Sequence, residues 1–387
     1  MYFHQVVGQE TIKERLIKSA LENRVSHAQL FVGPEGSGNL ALALSYIQYV
    51  NCASPGATDS CGECPSCHKF DRLTHPDLTF IFPVARTEDV DSKPKSSDFM
   101  KDWRPFVLEN SYYITLNKWY QQIGIEKKQG LISVHDASEI LKALSYKSYE
   151  AKYQTVVIWL PEKMNMQAAN KILKILEEPP EGSLFLLVSE NLDPILPTVL
   201  SRTQIVRIPR IQEADLIHAL AKDSTYGEEK IKEAAKFAEG SYIAAMNLLA
   251  ESEDENDLSG KFREWMLACY FYTPVQGKAE KFQDMLKIST DLGQMIRERQ
   301  KQFLLHSLSI IRLAFIGHQS FSPLGSETQA GNDFISKFRN FLPPERAIGM
   351  ASELDKAIYH IERNAHGGIL FLDLSLKFCK ALVRGKS

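Results

Sequence analysis

Apolar positions along this chain follow two different periods, and the change from one to the other divides it. In roughly the first 210 residues, short apolar runs stand between longer stretches in which apolar positions recur every three or four residues. Ala28 to Val32, Leu78 to Phe82, Thr155 to Leu160, Leu184 to Val188 and Gln204 to Ile208 are the short runs. Each reads as a strand buried on both faces. Between them, Ile12, Leu16, Ile17 and Leu21 in residues 9–23 fall near the helical period, as do Ala169, Ile172, Leu173 and Leu176 in residues 166–178. Residues 133–144 read as a helix with Ser133 as its N-cap, and Pro179-Pro180 stops the helix at 166–178. Strands separated by helices imply right-handed crossovers, hence a parallel five-stranded sheet covered on both faces. From Ile211 onward strands vanish. Residues 211–250 read as three short helices, the acidic 251–257 as a hinge, and the remainder to Ser387 as helical with breaks at 320–331 and Pro343-Pro344. There is no internal repeat.

Two interruptions of this pattern carry candidate chemistry. The first apolar run breaks into Gly33-Pro34-Glu35-Gly36-Ser37-Gly38 and re-enters an Ala/Leu-rich helix. Strand, glycine loop and helix N-terminus together form a phosphate cradle. That pattern asks for Lys after the last glycine and then Ser or Thr for Mg²⁺, and here Asn39 and Leu40 stand instead. The loop reads as a P-loop that cannot hydrolyse ATP, although an ordinary glycine turn before a helix fits the loop alone equally well. The residues leave open whether a nucleotide sits there inertly. The third strand points the same way, because the acidic pair that would hold Mg²⁺ and orient water is replaced by Trp159 and Leu160.

The second interruption is Cys52, Cys61, Cys64 and Cys67, with Gly and Pro supplied for tight turns. Four thiols at this spacing can meet around a tetrahedral Zn²⁺ in a closed, structural site. The other reading is a cluster of free thiols, and His68 is a possible substitute ligand. Residues 83–130 change character again: Trp103, Tyr112, Tyr113, Trp119 and Tyr120 follow a loop rich in Ser and Lys. A basic-aromatic mixture can bind single-stranded nucleic acid. The favoured expectation is a helical insertion whose aromatics cover the rim of the sheet. His27, at a strand start, reads as a packing or capping residue.

Bulk composition narrows the classes. At 387 residues the length suits two or three domains, and 44% hydrophobic with 24% charged residues suits a globular protein with a sizeable core. A net charge of -3 gives no global nucleic-acid signal. No apolar run approaches the ~20 residues of a membrane span. The N-terminal residues lack the basic and apolar regions of a secretory signal, so cytoplasm is the expected compartment.

Taken together the pieces resemble the clamp-loader branch of the AAA+ proteins, over most of the chain. Val7-Gly8-Gln9 looks like that family's adenine-side entry motif, and His27-Ala28 with the glycine loop matches its P-loop approach. The cysteine module sits where the family's zinc module sits. Ala168 to Lys174 followed by Leu176-Glu177-Glu178-Pro179-Pro180 is the most specific stretch. Ser201-Arg202-Thr203 resembles the family's Ser-Arg-Cys motif, whose arginine reaches a neighbouring subunit's nucleotide. Gly240 to Ile243 looks like the second sensor motif, with Ile243 where an arginine would contact phosphate.

The resemblance implies an AAA+ RecA-like domain over 1–209 with a zinc module at about 52–67 and an insertion at about 83–130. It further implies a small helical lid domain over 210–255 and a C-terminal helical collar for oligomerisation over 256–387. The implied function is a non-hydrolysing subunit of the bacterial DNA polymerase III clamp loader, part of the replicative holoenzyme, that lends Arg202 to a neighbour in trans. Its implied partners are gamma/tau ATPase subunits, a delta subunit, the sliding clamp and primer-template DNA. The rival readings are an active gamma/tau-type ATPase and a zinc-containing nucleic-acid-binding protein.

Overall fold

The computed structural model describes residues 1–90, 92–126, 128–222, 226–250, 258–272, 279–295, 297–316, 338, 342–362 and 365–382. The expected acidic hinge at 251–257, the break at 320–331, and Arg363 and Asn364 lie outside them.

Five parallel strands form one sheet: β1 (Ala28–Val32), β2 (Leu78–Ile81), β3 (Gln154–Trp159), β4 (Ser183–Ser189) and β5 (Gln204–Arg207), in the order β2-β3-β4-β1-β5. The three inner strands are the most buried, because helices cover them on both sides. β1 is buried along its whole length and so is β4. Register runs from Ala28 opposite Phe185 to Val32 opposite Ser189, which brings the carboxyl ends of β1 and β4 side by side. β3 ends next to them, with Trp159 opposite Val188. In an open parallel sheet this edge is where ligands bind.

The helices of this part of the chain are α1 (Glu10–Leu21), α2 (Asn39–Val50), α3 (Pro65–Asp71), α4 (Met100–Glu109), α5 (Leu116–Gln122), α6 (Val134–Leu144), α7 (Met166–Glu177) and α8 (Pro197–Leu200). α2 is buried on every side, as its uniform Ala/Leu/Tyr composition requires. Ser133 caps α6 by accepting the His135 N–H, and Asn165 caps α7 by accepting the Ala168 N–H. Three further helices follow: α9 (Glu213–Lys222), α10 (Glu228–Phe237) and α11 (Tyr242–Ala250).

The aromatic residues between β2 and α6 lie deeper than a rim. Trp103 and Trp119 are fully buried. Trp103 stacks on Phe82 with ring centroids 4.0 Å apart, while Trp119 meets both rings edge-on and donates its indole N–H to the Pro83 carbonyl. The insertion therefore builds core of its own against β2 and β3, because the rings that interleave with polar residues in sequence converge in space.

The chain divides into two units, Met1–Leu249 and Ala250–Ser387. The second is helical throughout its described residues, with helices at Leu258–Phe271, Ala279–Gln294, Arg297–Ile316, Pro344–Glu362 and Gly367–Leu382. Its core gathers around Trp265, whose indole N–H donates to Ser375 at 2.7 Å. No helix among the described residues is long and apolar enough to cross a membrane.

Candidate functional site: a closed phosphate loop, an outer arginine and a four-thiol module

After Val32 the chain turns through residues 33–38 into α2. Gly36 and Gly38 take φ of +80° and +92°, backbone that side-chain-bearing residues rarely adopt. A Cβ on Gly36 would stand 2.0 Å from Ser241 Oγ at the start of α11. The shape is that of a phosphate cradle, but its contents differ. Asn39 turns inward: Nδ2 donates to the Gly33 carbonyl at 2.5 Å and to the Ser189 carbonyl at 3.2 Å, and Oδ1 lies 2.8 Å from Ser37 Oγ. The loop is thus tied to its own beginning and to the end of β4. Leu40 is buried beside it.

The opposite wall comes from β3 and the helices beyond β5. Trp159 and Leu160 are both buried, and Leu160 takes φ of 57° as its N–H reaches the Val188 carbonyl. Neither side chain offers an oxygen to a metal. Ile243 of α11 lines the same pocket, where a cation would be needed for phosphate. α11 docks directly on the loop, the Tyr242 N–H donating to the Gly36 carbonyl at 3.0 Å. Val7-Gly8-Gln9 joins from the other side, Gln9 Nε2 donating to the carbonyls of Ser37 and Pro209.

The residue that sequence reasoning missed is Tyr113. It belongs to the link between α4 and α5, and it enters this pocket together with Tyr112 and Ile114. The Val7 N–H donates to its hydroxyl at 3.0 Å, its ring lies 4.6 Å from that of Tyr242, and burial pushes its phenol up from the usual range. Between these tyrosines, the glycine loop and β3 about 30 Å³ stays open, while a wider groove of about 1000 Å³ runs along the other side of Tyr113, lined by Val7, Gly8, Asp215 and Tyr242. The residues around the glycine loop offer a triphosphate and its Mg²⁺ neither a cationic side chain nor a carboxylate pair at the positions where a P-loop would supply them.

A second missed residue is Glu162, three positions beyond Trp159. Its Oε2 is sealed from solvent without a hydrogen-bond partner. Burial raises its pKa, offset only in part by backbone and Ser189 hydrogen bonds. A lone Glu after a strand has no local pattern that announces this.

Arg202 lies apart from the pocket, just after α8. Its Nη1 donates to the Thr198 carbonyl at 2.9 Å, and its Nη2 pairs with Glu177, the last residue of α7. The two side chains are 34% and 47% exposed, so the pair is a surface one and weak enough to be exchanged. His27 supports the same corner, its Nε2 3.1 Å from the Leu176 carbonyl.

The four cysteines come together. The sulfurs of Cys52, Cys61, Cys64 and Cys67 all lie within 4.8 Å of one another, with Cys61 and Cys67 3.9 Å apart. Tetrahedral zinc at ~2.3 Å from each thiolate sets sulfurs about 3.8 Å apart. The N–H groups of Cys61, Cys64 and Cys67 point at the sulfurs of Cys52, Cys61 and Cys64, at 3.3 to 3.4 Å. Backbone N–H groups of Glu63 and Cys64 bring the Cys61 thiol down to about 6, which favours the ligating form. His68 is exposed and outside this group. The residues present fit a closed zinc site.

Known proteins resemble this chain over part of its length. The family model described as DNA polymerase III, delta subunit, matches residues 8–212, more than half of the chain. The DNA polymerase III subunit delta' of Pseudomonas aeruginosa is 30% identical over 177 residues, covering 46% of this chain and 41% of the relative. The subunit tau/gamma of Haemophilus influenzae is 25% identical over 251 residues, covering 64% and 30%. The delta' subunit of Bacillus subtilis is 24% identical over 204 residues, covering 53% and 48%. In each case the match spans less than half of the relative. A DNA polymerase III gamma subunit-related protein from Thermotoga maritima superposes over 97% of this chain and 99% of its own, at 16% identity and a TM-score of 0.39.

Proposed function

This chain belongs to the DNA polymerase III delta subunit family, and we propose that within it the chain is a non-hydrolysing clamp-loader subunit of the delta-prime type. One observation carries the reading. Every position at which the nucleotide chemistry of a P-loop ATPase would stand holds a residue unable to perform it, and the loop is closed on itself by Asn39. Without lysine, metal-holding hydroxyl, acidic pair or sensor arginine, there is nothing to stabilise charge on a departing phosphoryl group. A gamma/tau-type ATPase would need all of these.

On this reading residues 210–255 act as the lid domain and 256–387 as the collar through which the subunit joins gamma/tau and delta subunits in the cytoplasm. The sliding clamp and primer-template DNA are met through the complex. The cysteine module holds one structural Zn²⁺, which pins the loop between α2 and α3. Arg202 supplies a guanidinium to the neighbouring ATPase subunit. It is always charged and can bridge phosphate oxygens with paired donors.

The deciding experiment has two arms. The purified chain alone, with ATP and Mg²⁺, is expected to release no phosphate above background. Added to gamma and delta subunits from the same source, it is expected to complete clamp loading onto primed DNA. Turnover by the isolated chain would make it a gamma/tau-type ATPase. Failure to enter the complex would remove the clamp-loader role.

A further inference from the structure

We infer that the insertion between β2 and α6 is an internal plug: Tyr113 fills the phosphate end of the nucleotide pocket as a ligand supplied by the chain itself, and joins core to lid without nucleotide. The inference rests on reading residues 33–38 as a nucleotide cradle and does not need the subunit assignment.

The phenol meets three sides of the pocket. A Cβ on Gly38 would lie 3.2 Å from the Tyr113 hydroxyl, so the phenol stands where it leaves the loop no room for a side chain. The hydroxyl takes the Val7 N–H from the N-terminal segment, 106 residues away in sequence. The ring packs on Tyr242 of α11, whose own N–H is bound to the Gly36 carbonyl. One side chain thereby holds three separate parts of the unit. On the glycine-loop side of the phenol about 30 Å³ is left, an order of magnitude below the ~300–1,000 Å³ of ligand pockets; the groove of about 1000 Å³ beside Val7 and Gly8 lies on its other side.

The insertion is built to hold this residue still. Ser111 and Tyr112 take φ of 51° and 68°, two successive left-handed residues without glycine, a turn that costs about 1–2 kcal/mol per residue and persists only when its surroundings enforce it. Behind it, the Tyr112 N–H returns to the Val107 carbonyl and the Tyr113 N–H to the Asn110 carbonyl. The Tyr112 hydroxyl donates to the Asp71 carbonyl, and Thr115 caps α5 by accepting the Lys118 N–H. Trp103 and Trp119 anchor α4 and α5 in the core on either side. A loop merely lying over an empty site would need none of these restraints.

The test uses the full chain, with N-methylanthraniloyl-ADP as nucleotide probe and 4-methylphenol, the tyrosine side chain as a free molecule, as pocket probe. Wild type is expected to bind neither at millimolar concentration. Tyr113→Ala opens a cavity and is expected to lose roughly 6–20 °C in melting temperature, of which millimolar 4-methylphenol restores part. Tyr113→Phe keeps the ring, so 4-methylphenol leaves it unchanged, while amide exchange at Val7 speeds up by roughly 2- to 13-fold. Tight binding of the nucleotide probe by wild type overturns the plug. Such binding leaves a non-hydrolysing subunit intact, whereas phosphate release from ATP and Mg²⁺ by the same preparation would remove that assignment as well. A folded Tyr113→Ala indifferent to 4-methylphenol also overturns the plug. If that variant does not fold, unchanged Val7 exchange in Tyr113→Phe overturns it instead.

Discussion

The side-chain amide of Asn39 donates to the carbonyl oxygen of Gly33 at 2.5 Å, closing the glycine loop onto its own first residue. A lysine at position 39 could not do this and also reach outward. Its ammonium would displace the amide from Gly33 and Ser189 and would enter a pocket already holding Tyr113. Asn39→Lys is therefore expected to destabilise the chain by about 1–3 kcal/mol, since buried acceptors lose their donor. It should gain no ATPase activity, because Leu40 and Trp159 still offer no oxygen to Mg²⁺. Urea unfolding and a phosphate-release assay on the same preparation check both halves. Measurable turnover would sink the idea that the losses are multiple.

Zinc removal should act on folding. The purified, reduced chain is expected to carry one Zn²⁺. Cys61→Ser should cost about 2 kcal/mol or more, roughly 4–8 °C in melting temperature for a unit of this size. A strong chelator should mimic the substitution in wild type and add nothing to the variant. Metal analysis combined with thermal unfolding makes the comparison, and a metal-free chain of unchanged stability would count against the site.

The buried carboxyl of Glu162 sets a pH dependence. Its folded pKa is raised, so the folded state binds the proton more tightly than the unfolded chain, whose value is about 4.3. Its contribution to stability is full below the unfolded pKa and is lost as pH rises through the folded pKa. Glu162→Gln, which stays neutral, should therefore melt higher than wild type at pH 8. The difference should shrink toward pH 4. Melting curves across that range give the answer, and a difference independent of pH would show that the carboxyl does not titrate in the fold.

Arg202 separates two roles by a pair of substitutions. As a local ion-pair partner it would be lost equally by Arg202→Ala and by Glu177→Gln, with stability changes of ~0–1 kcal/mol. As a finger acting on a neighbouring subunit, only Arg202→Ala should lower ATP hydrolysis and clamp loading by the assembled complex. An arginine finger is worth ~10³–10⁵ at the site it serves, but the loss over the whole complex is smaller where other sites keep their own arginines. Steady-state ATPase and loading rates of the two variant complexes decide. Wild-type rates with Arg202→Ala would rule the finger out.

What the sequence made legible follows from how local each signal is. β1, β3 and β4 are inner strands buried on both faces, so they stand out as apolar runs in a single pass. Ser133 was readable because a cap lies one residue from the helix it starts. The missing lysine, hydroxyl and acidic pair were readable because a cradle fixes their spacing. The cysteines were readable as a group for the same reason. Tyr113 was not, because its partners Val7 and Tyr242 lie more than a hundred residues away on either side, and nothing local distinguishes it from Tyr112 or Tyr120. The insertion's aromatics were expected at a rim for a similar reason: polar residues interleave with them, and only the folded path turns Trp103 and Trp119 inward. The inward turn of Asn39 depends on Ser189, 150 residues later.

The burial of Trp103 and Trp119 has an optical side. Of the four tryptophans, three belong to the first unit, where the indole of Trp103 lies 5.0 Å from that of Trp119 and 5.2 Å from that of Trp159. The fourth, Trp265, is alone in the second unit beside Phe378. Chromophores this close share excitation, so the first unit should show a strong near-ultraviolet circular dichroism band and transfer of emission among its rings. Because Trp159 lines the pocket that Tyr113 occupies, any movement of that tyrosine would be recorded in the colour and polarisation of light from the first unit, with no label attached.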